Sequence, residues 1–104
     1  MYGTIFRCRP RPGQEHAFEE ITQRWRRERA PEATGFIGEY ILRSDSSPGQ
    51  VLALVIFDSE ENYRKNAADL EQQRWYEQFR ATLSEDPEWN DGAIEALEPT
   101  TVPL

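Results

Sequence analysis

Seven consecutive apolar residues occupy positions 51–57, in the run VLALVIF. A strand with one face in water alternates apolar and polar residues, because successive side chains point to opposite faces. This run does not alternate, so it predicts a strand buried on both faces, and it is too short to span a membrane as a helix. The rest of the chain offers about two helical segments, enough to cover one face of a small sheet. The other face is therefore expected to be covered by a second copy of the chain, or by a ligand held between two copies.

The segment before this run predicts a strand followed by an amphipathic helix. The strand covers residues 2–9, and the Pro-Gly pair at 12 and 13 prevents it from continuing. The helix covers residues 14–29, and its apolar positions recur at helical spacing: Phe18, Ile21 and Trp25. His16 lies off this stripe, so we expect it to face water. A second strand follows over residues 35–43, with two sets of alternating side chains: Phe36, Tyr40 and Leu42 on one face, and Ile37, Glu39 and Ile41 on the other.

After the apolar run, the pattern predicts two helices and a last strand. Ser59 is a typical N-cap for a short helix through residue 67, because acidic residues follow it in the first turn. This helix is expected to bury Tyr63 and Ala67. A second helix covers residues 69–83, with its apolar stripe at Trp75, Tyr76, Phe79 and Leu83. The last strand covers residues 92–97.

The element order is strand, helix, strand, strand, helices, strand, which is the ferredoxin-like βαββαβ arrangement of the α+β class. The prediction is one domain over residues 1–97, with an antiparallel sheet, and a tail over residues 98–104. Helices would cover one face of the sheet and leave the other bare. Two copies packed sheet to sheet would form a dimeric α/β barrel that encloses an apolar cavity, so we expect a homodimer.

Composition and motifs exclude several function classes. The chain has 104 residues and a net charge of −7, which argues against nucleic acid or an anionic membrane as a partner. It has one cysteine, Cys8, and one histidine, so neither a disulfide framework nor a zinc cluster can form. The loops GxGxxG, GxxxxGK[ST] and GxSxG are absent. The N-terminus has no signal-peptide pattern, so we expect a cytoplasmic protein.

Four stretches together resemble one known family. They are RPRPGQEHAFEE, GFIGEYILRS, VLALVIFDSEENYRKNAA and DLEQQRWYEQFRATL, and they span nearly the whole chain. They resemble the antibiotic-biosynthesis monooxygenase (ABM) type of dimeric α/β-barrel protein. The resemblance implies the same fold and a homodimer. It also implies one of several activities: cofactor-independent quinol-forming monooxygenase, haem-degrading enzyme, lactone isomerase, or none yet known.

The haem-degrading branch of that family resembles this chain poorly at its functional positions. That branch has an Asn in the first strand, a Trp on the helix after the third strand and a His ligand on the next helix. Phe6, Asn66 and Tyr76 occupy those positions here, and none matches. The resemblance therefore implies that haem is not a cofactor.

The cofactor-independent monooxygenase branch is more similar. It has an Asn, then a Trp about one turn later, then a Tyr; Asn66 and Tyr76 match the outer two, and Leu70 stands where the Trp would be. The resemblance implies that Asn66 donates a hydrogen bond to a developing oxyanion and that Tyr76 relays a proton or orients the ring, with no cofactor. The expected substrate is an aromatic polyphenol or quinol. The residues expected to contact it are Phe6, Leu70, Trp75, Trp89 and Glu39. Trp75 or Trp89 would provide the aromatic surface that the missing Trp provides in that branch.

Other interpretations of these residues remain open. Glu39 either turns inward as a buried general base or pairs with an arginine such as Arg7. Asn66 is as well explained as a helix cap. Cys8 is expected to be a small buried residue without a catalytic base. At the level of function, the alternative to an oxygenase is a non-catalytic homodimer that binds an apolar small molecule.

Overall fold

The computed structural model describes residues 1–95, so the predicted tail and the end of the predicted last strand lie outside the described residues. Its four strands are β1 (Tyr2–Cys8), β2 (Phe36–Arg43), β3 (Val51–Phe57) and β4 (Glu88–Ala93). Its α-helices are α1 (Glu15–Arg24), α2 (Glu60–Ala68) and α3 (Leu70–Ala81). A π-helical turn (Trp25–Arg29) and a 3₁₀ turn (Ala30–Glu32) extend α1.

The strands form one antiparallel sheet in the order β2-β3-β1-β4. Phe6 in the middle of β1 lies opposite Ala53 of β3 and Trp89 of β4. This order, together with helices between β1 and β2 and between β3 and β4, is the ferredoxin-like βαββαβ fold. The predicted fold class is therefore confirmed.

The helices cover one face of the sheet and form the core with it. The stripe predicted for the first helix is buried at all three positions: Phe18, Ile21 and Trp25. Phe57, Phe79 and Leu83 have the largest fully buried side chains. His16 is exposed, as its place off the stripe predicts. Ala67 is also exposed, contrary to expectation, since it lies in the last turn of α2, a helix with no fully buried residue.

Strand β3 presents apolar side chains to both faces of the sheet. Val51, Ala53 and Phe57 are buried under the helices. On the opposite face, nothing in residues 1–95 covers the alternate positions of β3. That face, which we call the bare face, includes these apolar residues: Ile5, Tyr40, Leu42, Leu52, Leu54 and Ile56. Tyr40 is 71% exposed and Leu42 58% exposed, far more than large apolar residues in a sheet normally are.

A β-bulge in β2 changes the predicted assignment of faces. The register shifts between Phe36, which lies opposite Phe57, and Gly38, which lies opposite Ile56. The extra residue places Phe36 on the helix side, together with Glu39 and Ile41, rather than with Tyr40 and Leu42. There Phe36 packs edge-on against Trp25 and Phe57, with ring centroids 4.9 and 5.6 Å apart.

The last strand lies earlier than predicted, at Glu88–Ala93 rather than 92–97. Its sequence is polar, because β4 is an edge strand with much of its surface in water. Two contacts fix its register on β1: Glu88 pairs with Arg7 at 2.6 Å, and the Trp89 ring lies 4.7 Å from that of Phe6. None of the helices in residues 1–95 is long and apolar enough to cross a membrane.

Candidate functional site

A cavity of about 580 Å³ lies between the helices and the helix-facing side of the sheet. Its volume is within the range of small-molecule sites, roughly 300–1,000 Å³. It forms because the sheet presents short side chains there: Thr4, Ala53 and Val55. The sequence predicted a cavity enclosed between two sheets of a dimer. This cavity is a different one, since it lies under the protomer's own helices, and a cavity between two sheets stays a prediction.

Six of the seven predicted site residues line this cavity: Phe6, Glu39, Asn66, Trp75, Tyr76 and Trp89. Leu70 does not. It is the first residue of α3 and is 67% exposed, because the side chains of the first turn of that helix extend over the surface. Leu70 is therefore apart from the other six residues, and its expected substrate contact stays a prediction.

The cavity wall is mainly aromatic. The Trp89 ring packs against Phe6, and its centroid lies 6.0 Å from that of the Tyr76 ring. The Trp75 ring stacks on Phe79, with ring centroids 4.9 Å apart. The indole Nε1 of Trp75 donates to the backbone oxygen of Ile21 at 2.9 Å, which fixes the ring against α1. A wall of packed rings of this kind favours a flat, apolar ligand.

A polar network crosses from the π-helical turn to the junction of α2 and α3. Arg29 Nη2 donates to the side-chain oxygen of Asn66 at 3.3 Å, and Arg29 Nε donates to that of Gln72 at 3.5 Å. The same Gln72 oxygen accepts from Trp25 Nε1 at 2.7 Å. Asp69, between the two helices, lies 3.8 Å from the Arg29 guanidinium. The Arg29 side chain is only 11% exposed, so the network holds a buried cation beside the cavity.

A second polar cluster, which was not predicted from the sequence, joins α2 to the sheet. Tyr63 donates its hydroxyl to Asp91 at 2.9 Å, and both line the cavity. Thr4 lies opposite Asp91 in the sheet, and its buried hydroxyl oxygen has no hydrogen-bond partner among the described residues. It is close enough to Tyr63 to favour the phenolate slightly, but not in hydrogen-bonding geometry. Tyr63 precedes Asn66 by three residues on α2, and that helical spacing could have indicated that they share a face.

Burial raises the pKa of Tyr63 to about 12, and the Asp91 carboxylate adds to the shift. Burial also raises the pKa of Tyr76, with a further contribution from Asp86. Both tyrosines are therefore neutral phenols near pH 7, able to donate a proton or a hydrogen bond.

Glu39 turns toward the helices and pairs with Arg26 at 3.5 Å. Its pKa is raised, because burial outweighs the attraction of Arg26. The expected partner, Arg7, is on the opposite face of the sheet and pairs with Glu88 instead. Glu39 is therefore both paired and buried, and the two interpretations of this residue do not exclude each other.

Cys8 is a buried core residue. Burial raises the pKa of its thiol to about 11, so the thiolate nucleophile is scarce near neutral pH. Within residues 1–95, no three His, Cys, Asp or Glu side chains come together in a way that could hold a metal ion.

Comparison with known proteins places the chain in a family. The family model described as "Antibiotic biosynthesis monooxygenase" matches residues 1–83. The fold is similar to that of SnoaB, a cofactor-independent oxygenase from Streptomyces nogalater, in a mutant form: the TM-score is 0.80 at 15% identity, over 95% of this chain and 97% of that one.

Two further solved structures share the fold. A conserved protein from Methanosarcina mazei Go1 has a TM-score of 0.78 at 12% identity, over 90% of this chain and 92% of that one. Rv0793 from Mycobacterium tuberculosis has a TM-score of 0.76 at 15% identity, over 94% of this chain and 98% of that one. No curated protein matches the sequence. Because the family model covers most of the chain, the protein belongs to the antibiotic biosynthesis monooxygenase family.

Proposed function

We propose that the protein is a cofactor-independent monooxygenase that oxidises an aromatic polyphenol or quinol in the cavity between its helices and its sheet. The observation that carries the proposal is the aromatic wall of that cavity together with Asn66 and Tyr76 in its lining. Family membership supports an oxygenase, and SnoaB, which has the same fold, is described as a cofactor-independent oxygenase.

The reaction needs no electrons from the protein. A phenol that loses its proton becomes electron-rich at a ring carbon, and that carbon can react with O₂ directly. When a ring CH₂ becomes a carbonyl, one oxygen atom of O₂ enters the product and the other leaves as water with the two hydrogens of the substrate. The substrate thus supplies all the electrons, and O₂ is the only co-reactant.

The protein's part is to bind the ring, exclude water and handle charge and protons. The amide N–H of Asn66 would stabilise the phenolate oxygen, as a preorganised donor does in a dry site. Tyr76, a neutral phenol, would donate the proton that the departing oxygen atom requires. The packed rings of Phe6, Trp75 and Trp89 would hold the flat substrate between them.

The homodimer is part of this proposal. The bare face is an apolar surface that extends across β1, β3 and the edge strand β2, which favours burial against an equivalent surface. A second copy supplies one by two-fold symmetry, because each residue then meets the same patch on its partner. Sheet-to-sheet packing of this kind would bury both faces of β3, as its uninterrupted apolar sequence requires.

The second candidate is a homodimer that binds an aromatic molecule without reacting with it. Leu70 favours this alternative, because it stands where the resemblance implies a catalytic-site Trp and its side chain is on the surface. An otherwise suitable cavity without that ring could serve for binding alone.

Oxygen consumption with a panel of hydroquinones and anthrones distinguishes the two. The oxygenase should consume O₂ and substrate in equal amounts, and ¹⁸O₂ should place one labelled atom in the product. Autoxidation measured without protein is the baseline. Saturable quenching of tryptophan fluorescence by the same compounds, with oxygen consumption no faster than that baseline, would refute the oxygenase and support the binding protein.

A further inference from the structure

The hydrogen bonds around Arg29 determine which way two amide side chains are oriented. An arginine guanidinium and a tryptophan N–H are donors and cannot accept. The amide atoms that face Arg29 and Trp25 must therefore be the oxygens of Asn66 and Gln72. Each amide nitrogen then lies on the side away from the guanidinium. This assignment follows from the network and not from the positions of the atoms alone.

The two amide nitrogens are available to a ligand. Asn66 and Gln72 both line the cavity. Within residues 1–95, neither Asn66 Nδ2 nor Gln72 Nε2 has a hydrogen-bond acceptor, whereas both oxygens are bonded to Arg29. An amide has two N–H donors, so these two cavity-lining side chains carry several donors that no protein group in residues 1–95 uses.

The π-helical turn explains why Arg29 reaches both amides. A π-helical turn is wider than an α-helical one, and such turns are frequent at functional sites. Here the turn begins at Trp25 and ends at Arg29, and both side chains contact Gln72. The turn therefore presents an indole donor and a guanidinium to the same glutamine oxygen.

The charge behind the amides is positive. Arg29 is largely buried, and Asp69, its carboxylate neighbour, is 47% exposed and 3.8 Å away. Asp69 does not line the cavity, and the three carboxylates that do are Glu39, which pairs with Arg26; Asp91, which accepts from Tyr63; and Glu77. The electrostatic preference for an anion should therefore be local to the Arg29 network and not a property of the whole cavity.

We propose that Asn66 and Gln72 form a subsite for the ionised oxygen of a phenol, and that Arg29 is the positioning residue that orients both amides. The subsite deepens the proposed function, because the phenolate is the form of the substrate that reacts with O₂. Gln72 would donate to the same oxygen as Asn66, which makes it a second binding residue for the substrate.

The test measures the ionisation of a bound phenol, so it does not depend on turnover. Alizarin (1,2-dihydroxyanthraquinone) is a suitable probe because it is flat, stable in air and changes colour when it ionises. The pKa of bound alizarin is read by visible absorbance across a pH series for the wild-type protein and for Gln72→Glu. The glutamate keeps an oxygen for Trp25 and Arg29, so the network can persist, but it removes the N–H donors and adds a negative charge.

The matched control is Gln78→Glu, which adds the same negative charge to the same helix and keeps an oxygen for its arginine. Gln78 is also on α3 and also accepts a hydrogen bond from an arginine, Arg24, but it does not line the cavity. We expect the pKa of bound alizarin to rise by about one unit or more in Gln72→Glu relative to the wild type, and to be unchanged in Gln78→Glu. Arg29→Gln should raise it as well, while the thermal unfolding of Gln72→Glu stays close to that of the wild type.

Two outcomes would overturn the subsite. One is an equal pKa of bound alizarin in the wild type and in Gln72→Glu; the other is a wild-type protein that binds no alizarin anion at any pH tested. Oxygen consumption that persists with either result would refute the subsite alone. The expected pKa changes without any oxygen consumption would support the subsite and refute the oxygenase.

Discussion

Leu54→Asp is the most direct test of the bare face. Leu54 lies on β3 opposite Tyr40 and Ile5, in the middle of the exposed apolar surface. Its side chain is already mostly buried within the protomer, so a partner sheet would remove only the remaining exposed part from water. A carboxylate at this position would face water in the monomer but an apolar surface in the dimer. We therefore expect Leu54→Asp to dissociate the dimer while the protomer stays folded.

The magnitude follows from symmetry. Full burial of a leucine side chain stabilises by about 1.5–3 kcal/mol, so hiding the remaining exposed part of Leu54, about a third at most, contributes about 0.5 kcal/mol. A two-fold interface contains the position twice, giving about 1 kcal/mol. Each buried carboxylate costs at least about 1 kcal/mol more. The sum is about 3 kcal/mol, which corresponds to a roughly 100-fold weaker dimer.

Val55→Asp is the matched control on the same strand. Val55 points to the opposite face, packs against the core and lies opposite Glu39, so a carboxylate there meets both apolar surroundings and a like charge. This variant should lose its folded far-UV circular dichroism spectrum. Light scattering at micromolar concentration should give Leu54→Asp the 12.1 kDa mass of one chain and the wild type twice that mass. A wild-type monomer, or a Leu54→Asp variant that stays dimeric, would refute the reasoning.

Three further predictions concern the cavity. With any phenol that is turned over, Asn66→Ala and Tyr76→Phe should lower kcat roughly tenfold to a thousandfold, whereas His16→Ala should retain the full rate; the reverse pattern would place the site elsewhere. Haemin titration should give no sharp, saturable Soret band at one haem per protomer. Glu39→Gln should raise the Tm at pH 7. The pKa of Glu39 is raised in the folded state, so the wild type loses stability as the pH rises from about 4.5 through that pKa, and the glutamine does not. The gain in Tm should therefore vanish below about pH 4.5, and a gain that persists there would contradict the prediction.

The sequence predicted the fold well because hydrophobic periodicity reports burial. The apolar run of β3 and the stripe of Phe18, Ile21 and Trp25 each had one reasonable interpretation, and the structure agrees with both. The prediction was less accurate where periodicity is weak. Strand β4 is polar because it is an edge strand, and the β-bulge at the start of β2 reverses the face of Phe36 without any signal in the residue types.

The candidate site was harder to predict because its polar contacts join distant parts of the chain. Arg29 and Asn66 are 37 residues apart, and Trp25 and Gln72 are 47 apart. No local pattern indicates such pairs, and the arginines near the end of the first helix resemble an ordinary solvated face. Arg29 ends a π-helical turn, which periodicity does not reveal, and its side chain is turned inward.

The position of the cavity separates ligand binding from dimer formation. On the sheet, the residues that line it belong to the helix-facing side of the strands, opposite the bare face. Leu54, on the other side of β3, contributes nothing to the lining. A Leu54→Asp monomer that stays folded should therefore bind alizarin with an affinity within a few-fold of the wild type, measured by quenching of the tryptophans in the cavity wall. If the monomer binds no alizarin while its circular dichroism spectrum is unchanged, then the partner chain contributes to the binding site. The ligand would in that case lie between the two sheets, as the barrel argument from sequence first suggested.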